Sequence, residues 1–241
     1  MMIPIFIGGV LAINILIVLS NKSIYLYAWE RPEDFSFLKN SSNTSVVFYA
    51  GDVVIKNKRA LINFRRNPLS IPDDIQSFPL IRIDSFDSPN NFESNLSLMS
   101  DFIVKICKSY RECHIDFEAR TSEYSPYSEL LKIVDSELPN TKILITALAS
   151  WCSDQSWFDD ANFEAAIPMF YRMGKDSLAI KKGSVGSWFL SNPKCSDNIA
   201  LSTDELDFNP RRYMRGRSVY LFNPNQWTAE SYKNVISYLG L

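Results

Sequence analysis

The sequence predicts an α/β fold: a compact (β/α)8-type, TIM-like barrel, one domain that follows an apolar N-terminal segment. Three observations lead there. Short, continuously apolar runs alternate with segments of helical period, as parallel strands do when helices cover both faces of their sheet. Seven or eight such runs fit within the 241 residues, which suits a barrel better than a doubly wound sheet. No glycine-rich phosphate turn follows the first run, so a dinucleotide-binding fold lacks its main support.

From the start of the chain, residues 3–19 carry no charged side chain, and Asn14 is their one strongly polar member. Residues 1–22 therefore read as a signal peptide or a membrane anchor, since Pro4, Gly8 and Gly9 suit neither a buried strand nor a buried helix. Residues 23–241 form the barrel domain, expected outside the cytoplasm: periplasmic, extracellular or held at the membrane. Ile24 to Glu30 is the first strand, ended by Arg31-Pro32. Ser45 to Ala50 is the second, broken at Gly51-Asp52, and Arg59 to Phe64 extends this region as a further strand. Pro79 to Asp84 comes next. Leu96, Met99, Ile103 and Ile106 recur at helical spacing and predict a helix over Phe92 to Tyr110. Cys113 to Glu118 is strand-like, Pro126 to Leu138 is an amphipathic helix stopped by Pro139, and Lys142 to Leu148 is a dense buried strand. Glu164 to Met173 holds another strand, Ser218 to Phe222 a late one, and Thr228 to Leu239 a closing helix.

Composition narrows the function. A net charge of −2 lacks the concentrated positive field of a nucleic-acid binder, and the basic run from Arg211 to Arg217 reads as solvated surface. Aromatic residues reach 13%, enough to fill a core or to line a site for flat or sugar-like ligands. His114 is the only histidine and no Cys-x-x-Cys occurs, so no metal site is expected, and no cofactor either. Cys107 and Cys113 flank a helix-to-strand turn where they bridge in an oxidising compartment or stay as buried thiols; the state of Cys152 and Cys195 is open in the same way.

Sites on such barrels gather at the C-terminal ends of the strands, and Glu30, Asp84, Asp116, Glu118, Trp151, Tyr171, Arg172 and Trp227 are expected there. Asp116 and Glu118 stand two apart on a predicted strand, so both point to one face with Phe117 opposite. Two carboxylates about 7 Å or less apart in a poorly solvated mouth cannot both ionise freely. One keeps its charge while the other holds its proton towards neutral pH, the pairing of stabiliser and general acid that glycoside cleavage requires. Arg120 and Arg172 offer the opposite outcome, a neutralised structural ion network, and both outcomes stay open on these residues. Trp29 and Glu30 close the first strand, and Glu30 faces either the mouth or a salt-bridge partner in Arg31 or Arg82. Trp151 is either a stacking ring or a lid on the core.

Four runs in order, Tyr27-Ala-Trp-Glu-Arg-Pro, His114-Ile-Asp-Phe-Glu-Ala-Arg, Ile145-Thr-Ala-Leu-Ala-Ser-Trp-Cys and Ala166-Ile-Pro-Met-Phe-Tyr-Arg-Met-Gly, resemble the bacterial domain of unknown function 3142. More remotely, the chain is similar to family 18 glycoside hydrolases, the chitinase-like barrels. Their fourth strand ends in Asp-x-Asp-x-Glu, a later strand carries Met-x-Tyr, and the last strand supplies a tryptophan floor. Here the matching positions are His114-x-Asp116-x-Glu118, Met169-x-Tyr171 and Trp227. The resemblance implies a saccharide ligand, Glu118 as acid, Asp116 as stabiliser of the reacting acetamido group, Tyr171 as hydrogen-bond donor and Trp227 as stacking platform. Trp29, Glu30, Trp151, Met169 and Arg172 would complete the binding surface. Two positions depart from the pattern: His114 replaces the first Asp, and Arg172 replaces the Asp that usually follows Met-x-Tyr. The alternative is a saccharide-binding or envelope-interaction barrel without turnover.

Overall fold

The computed structural model describes residues 23–86, 89–153, 161–173, 192–206 and 209–241. Alternation along each strand decides which side chains enter the barrel. In β1 (Ile24–Ala28), Ile24, Leu26 and Ala28 join the layer between strands and helices, while Tyr25 and Tyr27 turn inward. Along the chain follow β2 (Glu33–Asp34), β3 (Thr44–Lys56), β4 (Arg59–Phe64), β5 (Leu69–Ser70), β6 (Ser77–Ser85), β7 (Glu112–Asp116), β8 (Lys142–Leu148), β9 (Ala165–Met169), β10 (Asn198–Ser202) and β11 (Ser218–Phe222). Parallel pairing runs β1–β3–β6–β7–β8–β9–β10–β11, and β11 returns to β1 with Tyr25 opposite Tyr220. Eight parallel strands thus close into a barrel, as the sequence predicts.

The barrel leaves two apolar layers. Inside it pack Tyr27, Val47, Tyr49, Leu80, Leu144, Ile167, Met169, Ala200 and Tyr220. Outside it, Leu26, Val46, Ile81, Ile115, Ile145, Ala166, Ile199 and Leu221 meet the helices. These are α1 (Pro89–Glu93), α2 (Leu96–Cys107), α3 (Tyr124–Glu137), α4 (Arg211–Met214) and α5 (Ala229–Leu239). Each fully buried Val, Leu, Ile or Phe side chain contributes roughly 1.5–3 kcal/mol relative to exposure, so this double layer is the main source of stability.

Several elements differ from the sequence reading for identifiable reasons. Arg59 to Phe64 is a strand but no barrel stave. It pairs antiparallel with β3 across Asn57 and Lys58, whose φ values of 52° and 64° give the two-residue turn that matches strand twist. The helix expected over Phe92 to Tyr110 breaks at Ser94 and Asn95. The Asn95 amide donates to the Asn91 carbonyl at 2.6 Å and accepts from the Ala60 N–H at 3.2 Å, competing with the helix backbone and tying the break to β4. The stave β10 carries no alternation or long apolar run; it is five residues with polar ends, all buried. Strand β7 stops at Asp116, so Glu118 lies beyond it and not on the strand.

Both cysteine pairs are oxidised. Cys107–Cys113 closes the turn from α2 to β7, and Cys152–Cys195 joins the segment after β8 to the short turn before β10. The apolar residues 3–19 lie outside the described part, in which no helix is long and apolar enough to cross a membrane.

Candidate active site

Strand β7 is apolar towards the helices and ionisable towards the barrel. Cys113 and Ile115 face out, whereas Glu112, His114 and Asp116 face in, rising towards the C-terminal mouth. His114 is fully buried, with Nε2 2.8 Å from the Glu112 carboxylate and its ring near Phe78 and Tyr220. This pair fills the barrel one layer below the mouth, so the His that breaks the family pattern is a packing element beneath the site.

Asp116 begins the mouth. The Thr146 hydroxyl of β8 donates to its Oδ1 at 2.5 Å, and Arg82 of β6 stands opposite it in register. Burial raises the Asp116 carboxyl above its usual range. The Thr146 hydrogen bond and the Arg82 charge act against that rise, while Glu118 and Asp84 add to it. Glu118 follows on the irregular segment after β7, exposed, with no hydrogen bond to its carboxylate among the described residues. Both carboxylates line one cavity of about 490 Å³ at the C-terminal end of the barrel.

Neither feared neutralising arginine clamps the pair. Arg120 lines the cavity but binds Glu123, with Nη2 at 2.6 Å and Nε at 3.1 Å, and its backbone N–H donates to the same carboxylate at 2.8 Å. Burial pushes the Glu123 carboxyl up, but these contacts outweigh it and hold the group below its usual range. The Arg172 guanidinium lies over the Phe222 ring, 5.4 Å from its centre.

The aromatic wall is built by Trp29, Tyr171 and Phe222. Tyr171 stacks on Phe222 at 5.7 Å with planes 10° apart, and Trp29 meets Phe222 edge-on at 6.0 Å. Burial first, then the Asp116 charge, push the Tyr171 phenol above its ordinary range, which places Asp116 and Tyr171 in one electrostatic unit. The Tyr27 hydroxyl, buried among the cavity-lining groups, has no hydrogen-bond partner among the described residues. Met169, the last residue of β9, also lines the cavity.

Three residues expected at the mouth stand elsewhere. Trp227 is 1% exposed and outside the cavity: its indole N–H donates to the Tyr27 carbonyl and its backbone N–H to Glu33, both at 3.0 Å. Trp151 is buried with its ring edge-on to Tyr124, a lid on the core. Glu30 accepts from the backbone N–H groups of Arg66 and Asn67 and from the Asn67 amide, fastening the segment before β5 to the end of β1. Its salt-bridge partner is Arg65 at 4.0 Å, neither Arg31 nor Arg82.

Sequence reasoning passed over Phe222, Thr146 and Arg82. Phe222 is the last inward residue of the last stave, and Thr146 is a lone hydroxyl inside Ile-Leu-Ile-Thr-Ala-Leu; both signals were present in the strand pattern. Among the described residues no group of three or more His, Cys, Asp or Glu side chains is placed to hold a metal ion.

No protein-family model matches the chain, so the likeness to domain of unknown function 3142 is unsupported, and no curated protein matches it either. Solved structures do match. A fungal endo-β-N-acetylglucosaminidase from glycosyl hydrolase family 18 superposes with a TM-score of 0.56 at 13% identity, over 88% of this chain and 94% of that one. The chitinase ChiC from Aspergillus fumigatus gives a TM-score of 0.54 at 10% identity, over 91% of this chain and 100% of that one. At such identities the likeness shows the shared barrel fold.

Proposed function

We propose that this chain is an exported glycoside hydrolase, acting on a cell-envelope or environmental saccharide with Glu118 as general acid. One observation carries the reading. A solvent-reaching carboxylate and a half-buried one share a cavity with an aromatic wall, and the arginine beside them in sequence, Arg120, is engaged by Glu123. A sugar ring laid against Phe222, Trp29 and Tyr171 would bring its glycosidic oxygen beside Glu118 and shield that group from water. Glu118 then delivers a proton to the departing glycosidic oxygen as that bond to the anomeric carbon breaks; water subsequently adds to the anomeric carbon, and its surplus proton returns to the Glu118 carboxylate. Asp116, fixed by Thr146, faces the positive charge that develops on the sugar, and the Tyr171 phenol, which keeps its proton at any working pH, donates a hydrogen bond. The barrels of a chitinase and an endoglycosidase, shared here as fold, agree with this chemistry. Export draws support from the paired cysteines, since disulfides persist in oxidising compartments, and from the apolar run at residues 3–19.

The test is the release of new reducing ends from purified glycans. Glu118→Gln is expected to lose roughly a hundredfold or more of the wild-type rate with an unchanged melting temperature. Full activity in this variant would sink the assignment. A second reading, saccharide binding without turnover, is favoured by the absence of any described protein hydrogen bond on Glu118. Binding to a glycan array with no product from any bound glycan would select it.

A further inference from the structure

The barrel mouth holds four arginines, and three of them are committed to carboxylates. Arg31 donates to Glu33 at 2.7 Å and to the carbonyls of Asn223 and Pro224. Arg82 donates to Asp84 at 2.8 Å, and Arg120 to Glu123 at 2.6 Å. Asp84 and Glu123 are thereby neutralised. Arg172 differs: among the described residues its guanidinium has no hydrogen-bond or ion-pair partner, and it lies exposed at the cavity over the Phe222 ring.

The backbone is built to hold it there. Arg172 has φ 53°, the left-handed region that a residue with a side chain adopts only at a cost, and such strain concentrates at functional positions. Its N–H donates to both oxygens of Glu205, at 3.1 and 3.3 Å. The Glu205 carboxylate, just after β10, is thus used to fix the peptide, and among the described residues no carboxylate bonds the guanidinium. A guanidinium lying over an aromatic face keeps its in-plane N–H fork available, and that fork matches a carboxylate with two parallel hydrogen bonds.

We propose that Arg172 makes the site selective for saccharides that carry a carboxylate, on the ring as in a uronic acid or on an ether-linked side group. This rests on the reading of the cavity as a saccharide site. A neutral sugar laid on Phe222 strips water from the guanidinium and returns only uncharged hydroxyl or carbonyl acceptors, which compensate the lost hydration less well. A carboxylate converts the same desolvation into a charge-assisted bidentate contact. Asp116 and Glu118 sit on the β7 side of the mouth and Arg172 beyond β9, so one ligand can reach all three without placing its carboxylate against theirs.

The experiment is calorimetric titration of the Glu118→Gln protein, full chain, with three tetrasaccharides. One is neutral and made of N-acetylglucosamine; one has the same backbone with lactyl ether carboxylates on alternate sugars; one is a hyaluronan fragment with uronate carboxylates. At least one carboxylated ligand is expected to bind about tenfold tighter than the neutral one or better, with the advantage shrinking as salt rises. Adding Arg172→Gln brings the ratio close to one, and Arg172→Lys keeps part of it. The ligand that shows the gain identifies the source of the carboxylate. Equal affinities, no binding of any of the three, or a ratio unchanged in Arg172→Gln overturns the proposal. Product analysis of the wild-type protein separates this from the hydrolase reading. Equal cleavage of neutral and acidic chains removes the selectivity and keeps the hydrolase. Tight, Arg172-dependent binding without cleavage keeps the selectivity and removes the hydrolase.

Discussion

Asp116 sits where opposing influences nearly meet, and its behaviour exposes the logic of the mouth. Burial disfavours its charge, whereas the Thr146 hydroxyl and the Arg82 guanidinium favour it. Thr146→Val removes the hydrogen bond and keeps the shape, so the Asp116 carboxyl moves further up. If turnover needs ionised Asp116, the acid limb of the kcat/KM profile shifts to higher pH in this variant, while the alkaline limb stays in place. Stability carries the opposite sign. A carboxyl raised in the folded state is a favourable contribution below its unfolded value, and that contribution is lost as pH climbs through the folded value. Asp116→Asn, which still accepts from Thr146, is therefore expected to raise the melting temperature at neutral pH by a few degrees. The gain should fade in acid, where the wild-type group is protonated in both states. Thermal unfolding at the two pH values decides it; equal melting temperatures at neutral pH would refute the burial account of Asp116.

At the scale of elements, the two disulfides brace different things. Cys107–Cys113 spans 6 residues and closes a turn that the chain makes anyway between α2 and β7. Cys152–Cys195 spans 43 residues and joins the segment after β8 to the turn before β10. Loop-closure entropy assigns roughly 2 kcal/mol to the first and roughly 4 kcal/mol to the second. Replacing both members of a pair by serine should lower the urea midpoint more for Cys152 and Cys195 than for Cys107 and Cys113, and an inverted order would show that strain or residual structure dominates. The same elements show what a sequence discloses. Lys142 to Leu148 and Ser218 to Phe222 were legible to the residue because a dense apolar run between polar breaks has one sensible reading. Asn198 to Ser202 was not, since its burial comes from neighbouring staves and the Asn198 amide is met by the Ala166 carbonyl far along the chain. The mouth was legible where strand order alone decides position, as for Asp116, Met169, Tyr171 and Arg172. It was illegible for Trp151 and Trp227, because a ring beside a strand end packs inward or outward according to partners far along the chain.

Trp227 shows that distance at the scale of the whole molecule. A (β/α) barrel is closed by joining its first and last strands, and β1 and β11 are separated by almost the whole domain. Above their ladder sits a polar seam. Arg31, just after β1, donates to the carbonyls of Asn223 and Pro224, just after β11, and Glu33 accepts from both Arg31 and the Trp227 backbone. The Trp227 indole then donates to Tyr27 in β1, so one residue covers the outer core and ties both ends of the sheet. Trp227→Ala removes the ring and orphans the Tyr27 carbonyl, and should cost roughly 3–5 kcal/mol in the manner of other buried Trp or Phe truncations. Trp227→Phe keeps much of the packing and loses the hydrogen bond, so its cost should be distinctly smaller. Urea unfolding of the two variants, read beside saccharide affinity of the folded fraction, separates closure from binding. A closure residue loses stability and leaves the affinity of folded molecules in place, whereas a stacking platform would lose affinity with the fold intact.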